Sequence, residues 1–314
     1  MAGPDPAVAD VRRAVRRVLA ETPDGALVLA AVSGGADSLA LLAALAWEAP
    51  RNARRARCVT VDHGLRPGSA EQARRVAAVA AGLGIETDVL NVTVAGADED
   101  AARRARYAAL DEAAARLGAA AVLLGHTRDD QAEQVLLGLA RGSGARSLGG
   151  IPPRRGVYAR PLLDLPRATT ERACRALGLD PWSDPANDDL RHARNRVRHV
   201  ALPALEDALG PGIAGALART ARLLRADADL LDELAAKAYA ETGLDARRLA
   251  ALPPALRTRV LLAAAREAGA TDLNAGHVAA VEALVTAWHG QGPVALPGGF
   301  AVARRCDTLA FSRQ

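Results

Sequence analysis

Lysine is almost absent from this sequence. Lys237 is the only lysine among its 40 Lys and Arg residues. A Walker A loop needs a lysine on the phosphates, S-x-x-K hydrolases need one beside the serine, and pyridoxal enzymes need one for the Schiff base. Lys237 lies in none of these contexts, so the sequence argues against all three classes.

Cysteines and long apolar runs are also scarce. The three cysteines, Cys58, Cys174 and Cys306, lie far apart, so no C-x-x-C pair is available for a metal or an iron–sulfur cluster. This pattern favours a reduced, cytoplasmic setting. No apolar run approaches the ~20 residues that a bilayer span needs, and the N-terminus has no signal-peptide h-region. We therefore expect a soluble protein with no membrane partner.

The positive charge of the chain is concentrated in one segment. The 314 residues carry a formal net charge of +4, and half of them are hydrophobic, which is enough for two domains with buried cores. Between Arg141 and Val200, twelve arginines face six acidic residues, so this segment holds a larger surplus than the whole chain. Such a segment is either a solvated basic surface or a binding surface for a polyanion.

The first 200 residues alternate short apolar runs with amphipathic stretches, a pattern typical of βαβ units. We predict an open, doubly wound parallel α/β sheet in a catalytic domain over 1–202, followed by a smaller helical domain over 203–314. The predicted strands are 26–32, 57–62, 86–92, 119–124 and 157–163, and the helices between them are 39–47, 69–83, 98–117 and 130–140. The second domain is predicted to hold helices over 205–241, with a break at Gly210-Pro211, over 245–269 and over 274–288, and then two short strands within 290–312.

A glycine loop joins the first predicted strand directly to a helix. Its residues are Ser33-Gly34-Gly35-Ala36-Asp37-Ser38. The glycines allow a tight turn with inward N–H groups, the serines add hydroxyl donors, and the helix dipole favours an anion. The pattern predicts a phosphate site, although a plain turn in which Asp37 or Ser38 caps the helix is the simpler alternative.

Asp37 is the unexpected member of this loop. A carboxylate beside a phosphate repels it unless a divalent cation lies between them, so Asp37 is predicted to be a magnesium ligand. Polar residues also follow two other predicted strands, where ligands of parallel sheets bind. These are Asp62 and His63 after the second strand, and His126, Asp130 and Glu133 after the fourth.

The spacing of His126, Asp130 and Glu133 places them on one helical face if the helix starts early. Asp129 and Asp130 also suit ordinary positions at a helix start, and a metal-binding His/Asp pair is a further alternative. Three strand ends with polar clusters favour an active site over three unrelated helix caps.

Four arginines are candidates for contact with phosphate or RNA. Arg194 and Arg198 lie in a basic stretch before the helical domain, and Arg103 and Arg106 lie one turn apart on a predicted helix. Guanidinium groups suit phosphate oxygens, so these side chains would serve a nucleotide, an RNA backbone or both. The alternatives are a solvated basic surface for the first pair and local ion pairs with Glu99 or Asp111 for the second.

These motifs together resemble a known family. The S-G-G-x-D-S loop looks like the pyrophosphate loop of the N-type ATP pyrophosphatases, whose fold is adenine-nucleotide α-hydrolase-like. An ordered set of further motifs is similar to the tRNA(Ile)-lysidine synthetases: D-H-G-L-R at 62–66, A-R-R-A-R-Y at 102–107, G-H-x-x-D-D-x-x-E at 125–133, R-G-S-G at 141–144, R-P-L-L at 160–163 and R-N-x-V-R at 194–198. Ala186 and Gln134 depart from the residues common in that family, Ser and Thr.

The resemblance implies an ATP-dependent ligase that joins L-lysine to the wobble cytidine of tRNA(Ile) with a CAU anticodon. It implies that Ser33, Gly34, Gly35 and Ser38 hold phosphates and that Asp37 binds Mg²⁺. Asp130, with Glu133 in support, would orient or deprotonate the lysine ammonium, and His126 would bind substrate or shape the pocket. A homodimer is compatible with the sequence, which does not determine the oligomeric state.

Three other functions remain alternatives at this point. A tRNA 2-thiolation enzyme would use the same adenylation, a nucleotide or amide synthetase would keep the loop without an RNA surface, and an RNA-binding protein on a decayed ATPase fold would lack catalysis. The cysteine spacing argues against thiolation, and the intact acidic residues argue against decay.

Overall fold

The computed structural model describes residues 3–62, 64, 68–92 and 99–313. The chain forms two compact units, residues 1–222 and residues 223–314. The domain boundary predicted after residue 202 lies before this division, and it stays a prediction.

The first unit is built on a six-stranded sheet with the order β3-β2-β1-β4-β6-β5. The neighbouring strands are parallel except for β5 and β6, which are antiparallel, so the predicted parallel sheet is confirmed. Its strands are β1 Leu27–Ala31, β2 Arg55–Asp62, β3 Thr87–Asn91, β4 Ala119–Leu124, β5 Arg154–Arg155 and β6 Tyr158–Ala159. The strand predicted over 157–163 shortens to β6, because Pro161 has no N–H to extend the ladder.

Helices cover the sheet on both faces. They are α1 Pro6–Leu19, α2 Ala36–Arg51, α3 Ser69–Gly82, α4 Glu99–Leu117, α5 Arg128–Ala140, α6 Ala145–Leu148, α7 Arg167–Ala176, α8 Ala193–Arg196 and α9 Leu202–Leu209, with a π-helical turn at Val197–Ala201. Alternate β1 residues face opposite sides. Val28 and Ala30 join the core shared with α1, α2 and α7, and Leu29 joins the core against α4. Burial on both faces explains the continuous apolar run of this strand.

α10 Ile213–Thr242 begins in the first unit, after Gly210, whose positive φ of 89° breaks the helix as predicted, and the division between the units falls within it. The rest of the second unit is helical with a small sheet. The helix predicted over 245–269 is two helices, α11 Ala246–Ala251 and α12 Pro254–Glu267, because the prolines at 253 and 254 stop the first.

The chain ends in more strand structure than we predicted. α13 Ala275–Thr286 precedes three antiparallel strands, β7 Val294–Leu296, β8 Phe300–Arg305 and β9 Thr308–Arg313, where two strands were predicted. Among the described residues, no helix is long and apolar enough to span a bilayer.

Candidate active site

The loop after β1 folds around the Ser38 hydroxyl. Ser38 Oγ accepts from the backbone N–H groups of Ser33 and Gly34, both at 3.2 Å, and donates to the Gly35 carbonyl at 2.9 Å. Ser33 Oγ lies 3.3 Å from Ser38 Oγ. Because α2 starts at Ala36 and no side chain caps it, its first N–H groups face the loop and suit an anion. The simpler alternative, capping by Asp37 or Ser38, is therefore wrong.

Two glycines make this loop possible. Gly34 has a φ of +93°, a conformation that side-chain-bearing residues rarely adopt. Gly125, which follows β4, packs against the loop so closely that a Cβ atom there would lie 3.1 Å from the carbonyl carbon of Asp37 and from Ser38 N. The glycine at 125 therefore brings the end of β4 against the start of α2.

Asp37 points toward α7. Its Oδ1 accepts a hydrogen bond from Thr170 Oγ1, and its Oδ2 lies 3.3 Å from Arg167 Nε. Burial raises the pKa of Asp37 to about 6, and the attraction of Arg167 opposes this rise only in part. The carboxylate is therefore costly to ionise here without a further cation.

Asp130, the third residue of α5, helps to cap the start of that helix. Its Oδ2 accepts from Thr127 N at 2.7 Å and from Thr127 Oγ1 at 3.0 Å, which forms a capping box at the start of α5. Burial acts to raise its pKa, but Arg167, the Thr127 N–H, His126 and Arg198 together lower it below the usual value. Asp130 therefore caps α5 with its Oδ2, as the simpler alternative predicted. Its Oδ1 can still accept from other side chains of the site, so the functional interpretation also holds for this carboxylate.

Arg167 connects these two carboxylates to a third. Its NH2 group lies 2.9 Å from Asp130 Oδ1, its Nε 3.3 Å from Asp37 Oδ2 and its NH1 3.6 Å from Glu133 Oε1. Its backbone N–H donates to Asp129 Oδ2 at 2.8 Å, which fixes the start of α7 against α5. Burial acts to lower the pKa of Arg167, but the surrounding carboxylates raise it by more than burial lowers it. The pKa therefore lies above its usual value, and the guanidinium is charged.

Glu133 is fully buried, with 0% of its side chain exposed. Arg198 approaches it with two nitrogens, Nε at 2.7 Å from Oε1 and NH2 at 3.2 Å from Oε2, and Arg194 Nε lies 3.6 Å from Oε2. Arg194 also donates to Gln134 at 3.2 Å. Arg198 therefore belongs to the interior of the site, not to a solvated basic surface.

His126 lies outside the helix that we expected it to share with Asp130 and Glu133. α5 begins at Arg128, so His126 belongs to the turn after β4. Burial lowers its pKa to about 4. Asp130 opposes this shift, and Arg160, Arg106 and Arg194 reinforce it. The imidazole is therefore neutral at pH 7.

The remaining predicted residues lie around this centre. Asp62 ends β2 beside β1, and its Oδ1 accepts from Gly64 N at 3.0 Å, whereas His63 lies outside the described residues. Arg103 and Arg106 lie over the Tyr107 ring, with their guanidinium carbons 5.0 and 5.5 Å from its centroid.

Asp111, one of the two local partners considered for Arg103 and Arg106, accepts instead from Tyr158 OH at 2.6 Å. The second, Glu99, begins α4, and the local ion pair suggested for it stays a prediction.

Sequence reasoning missed Arg167, Thr170 and Thr127. The first two lie 130 and 133 positions from Asp37, so no local motif connects them to it. Only Thr127 had a local signal in the sequence, which is the capping-box pattern that it forms with Asp130.

A glycine loop of this form, at the carboxyl end of a parallel sheet and without a lysine, defines the PP-loop class of nucleotide-binding α/β proteins. A family profile described as "PP-loop domain" matches residues 8–205. A second profile, "TilS substrate binding domain", matches residues 244–309.

Curated relatives match along nearly the whole chain. A tRNA(Ile)-lysidine synthase from Thermobifida fusca is 57% identical over 95% of this chain and 95% of its own length. A protein of the same name from Salinispora tropica is 55% identical over 98% and 97%, and one from Streptomyces coelicolor is 52% identical over 99% of both chains. The chain therefore belongs to the tRNA(Ile)-lysidine synthase family, and the predicted resemblance is confirmed.

A solved structure supports the fold. The U34-tRNA thiolase NcsA from Methanococcus maripaludis, solved with its [4Fe-4S] cluster, matches with a TM-score of 0.57 over 69% of this chain and 80% of that chain. At 19% sequence identity, this likeness concerns the fold alone.

Proposed function

We propose that the protein joins L-lysine to C2 of the wobble cytidine of tRNA(Ile) with a CAU anticodon, in two steps that consume ATP and release AMP and pyrophosphate. The substrates follow from the family to which the chain belongs. One structural observation carries the chemistry: Arg167 joins the carboxylate of the phosphate loop, Asp37, to the carboxylates of α5. A site for ATP thus adjoins a site for a cationic nucleophile. We place the reaction in the cytoplasm, with its tRNA substrate.

In the first step, the cytidine O2 attacks the α-phosphorus of ATP and pyrophosphate leaves. The N–H groups at the start of α2, the loop backbone at Ser33 to Gly35 and the Ser38 hydroxyl would hold the β- and γ-phosphates. Asp62, at the end of the neighbouring strand, would contact the nucleotide, and we assign His63 the same role. Adenylation turns a poor leaving oxygen into a good one.

In the second step, the lysine amine attacks C2, and AMP leaves as the C–O bond breaks. The ammonium must first lose a proton, and Asp130 and Glu133 would hold it in place. The lowered pKa of Asp130 favours an orienting role over that of a base. Because arginines already contact both carboxylates, the ammonium would share their remaining lone pairs.

Asp37 fits Mg²⁺ as a single protein ligand. Mg²⁺ in nucleotide sites is held by one or two carboxylates together with substrate phosphates. Within the described part of the chain, no group of three or more His, Cys, Asp and Glu side chains could hold a metal ion, which matches a site completed by ATP. When bound, the ion would neutralise charge on the phosphates. Because Thr170 donates to Oδ1 and Arg167 lies 3.3 Å from Oδ2, Asp37 would share its carboxylate between these side chains and the ion.

We expect the rate of AMP formation to rise with pH up to about 6 and then level off, because Asp37 must ionise to bind a cation. More Mg²⁺ should move this rise to lower pH. The stability of the fold should depend on pH in the opposite direction. A raised folded-state pKa stabilises the fold below about pH 4, and this contribution is lost as the pH rises through about 6. Rates measured at two Mg²⁺ concentrations test the assignment, and an unmoved rise would contradict it.

We infer that two arginines near the site, the exposed Arg103 and the half-buried Arg194, contact tRNA phosphates. Arg103, which is exposed, and Arg194 are better probes than Arg198, whose removal would leave Glu133 buried and less well paired. Arg103→Gln with Arg194→Gln should lower the log–log salt slope of tRNA binding by about 0.7 to 0.9 per lost phosphate contact. Arg155→Gln, at an exposed arginine of β5, is the control. Slopes equal to wild type would remove both residues from the tRNA surface.

Sulfur transfer is the rival reaction on this fold, and the cysteines argue against it. Cys58 and Cys174 are buried, and burial raises both pKa values to about 11, so neither is a ready thiolate. Replacing Cys58, Cys174 and Cys306 with alanine should leave lysine transfer largely intact and cost about 1 kcal/mol of stability per buried thiol. A folded but inactive triple variant would favour thiolation.

The products of ATP cleavage test the proposed function. AMP and pyrophosphate should form in equal amounts when ATP is incubated with the protein, lysine and tRNA(Ile) with a CAU anticodon. The same tRNA with another wobble base is the control and should give neither product. Release of ADP and phosphate would contradict the proposal.

A further inference from the structure

Two carbonyl groups of the phosphate loop accept hydrogen bonds from residues outside the loop. The Ser33 carbonyl accepts from Gln72 Nε2 at 3.3 Å, and the Gly34 carbonyl accepts from the Trp182 backbone N–H at 2.9 Å. Gln72 belongs to α3, and Trp182 lies in the segment that follows α7. The proposed mechanism assigns no role to either donor.

A restraint on a carbonyl also fixes the N–H group of the same peptide unit, because a trans peptide is planar and its C=O and N–H bonds point in opposite directions. Gln72 thereby supports the N–H of Gly34, which donates to Ser38 Oγ at 3.2 Å. Trp182 fixes the N–H of Gly35 in the same way, and this N–H has no acceptor among the described residues. An N–H group in this position at the start of a helix is a donor for an anion.

The peptide unit between Gly34 and Gly35 needs such a restraint. Neither residue has a Cβ atom, so this unit can turn over at little steric cost. The turned unit would point the Gly34 carbonyl oxygen at the bound phosphates in place of the Gly35 N–H, and the oxygens would repel each other. The hydrogen bond from Trp182 opposes this rotation.

α3 covers the face of Gly34 on which a side chain would lie. A Cβ atom there would lie 1.8 Å from Gln72 Nε2 and 3.3 Å from a methyl group of Val76, which is buried. Arg75 of the same helix lies 3.2 Å from Asp180, in the segment that follows α7. α3 therefore contacts both the loop and the segment that holds the Gly34 carbonyl.

We propose that Gln72 is a positioning residue for the phosphates of ATP and acts together with the Trp182 amide. The two donors hold the Ser33 and Gly34 carbonyls away from the phosphates, so the N–H groups of the loop face them. This inference rests on the proposed function and deepens it, because it names the groups that orient the ATP site. Only the donor of Gln72 belongs to a side chain, so a substitution can remove it and leave the backbone groups in place.

Gln72→Met tests the proposal, because methionine keeps the length of the side chain and lacks the donor. The KM for ATP should rise by roughly threefold to tenfold with little change in kcat, as the loss of one supporting hydrogen bond predicts. The inhibition constant of pyrophosphate should rise by the same factor. That of AMP, which lacks the β- and γ-phosphates, should equal the wild-type value. Arg74→Met, at an exposed residue of the same helix, is the matched control.

Gln72→Ala separates the hydrogen bond from the packing over Gly34. It should raise the KM for ATP at least as much as Gln72→Met does, because both variants lose the donor. A folded Gln72→Met variant with the wild-type KM would overturn the proposal and reduce Gln72 to a space-filling residue. Equal weakening of pyrophosphate and AMP would also overturn it, because the whole pocket would then have changed.

Thermal unfolding gives a second readout that needs no turnover. It shows whether each variant is folded, and the rise in melting temperature with added pyrophosphate measures binding to the loop directly. The rise should be smaller in Gln72→Met than in Arg74→Met, and equal rises would contradict the proposal. Failure of the wild-type protein to bind pyrophosphate and ATP would instead be a failure of the proposed function.

Discussion

Asp37→Asn should reduce turnover by on the order of a hundredfold or more, because it removes the charge that would hold a cation beside the phosphate loop. The fold should survive. Burial raises the pKa of Asp37 to about 6, so the folded state gains little from its negative charge at neutral pH, and the amide of Asn can accept the Thr170 hydrogen bond.

AMP formation and thermal unfolding, measured on the same samples, separate these effects for Asp37→Asn. Asp164→Asn, at an exposed acidic residue, serves as the control for a surface charge. A folded Asp37→Asn variant that forms AMP at nearly the normal rate would remove the metal role from Asp37.

Arg167→Gln should be the most damaging substitution outside the sequence motifs. Asp37, Asp130 and Glu133 would lose the cation that they share, and breaking a buried ion pair on one side costs about 3–5 kcal/mol. Because 21% of the Arg167 side chain is exposed, solvent screens part of this cost, and we expect the free energy of unfolding to fall by about 2–4 kcal/mol. Arg175→Gln, at an exposed arginine in the last turn of the same helix, should cost little.

The pH profile shows whether Arg167 acts on the carboxylates or only on the fold. Arg167 lowers the pKa of both Asp37 and Asp130, so its loss should move the acid limb of the rate profile to higher pH. Arg167→Lys should restore part of the stability and move the limb back. A variant that loses stability but keeps the wild-type pH profile would reduce Arg167 to a packing role.

The sequence predicted the parts of the fold that have a local cause. The apolar run before Ser33, the glycines after it and the helix at Ala36 are neighbours in the chain, and their structure agrees with the prediction. The break at Gly210 also has a local cause in its positive φ. The prolines at 253 and 254 also indicate a helix break, but our prediction places them inside one helix over 245–269.

The sequence predicted which residues of the site follow each strand, but not the contacts between them. Asp37, His126, Asp130 and Glu133 each follow a strand, so the topology predicts that they lie at one edge. The pairing of Glu133 with Arg198, 65 positions later, depends on how the π-helical turn packs against α5. The pairing of Asp37 with Arg167, 130 positions later, depends on how α7 packs against α2. Periodicity carries no information about such contacts.

The assignment of Arg198 shows the same limit. A basic stretch predicts a polyanion or a solvated surface, and both alternatives place the guanidinium outside the protein. The structure instead turns Arg198 inward onto a buried carboxylate and leaves Arg191 exposed on Asp189. Composition alone could not separate these two arginines, because only the packing around Glu133 distinguishes them.

Transfer of labelled lysine tests the central claim most directly. The protein would be incubated with ATP, labelled L-lysine and tRNA(Ile) with a CAU anticodon, and the tRNA would then be digested to nucleosides. The account predicts label in a lysine–cytidine conjugate at the wobble position, and no label when ATP is omitted or when that cytidine is replaced by uridine. Unlabelled tRNA from a folded, ATP-cleaving protein, or sulfur at the wobble base in place of lysine, would contradict it.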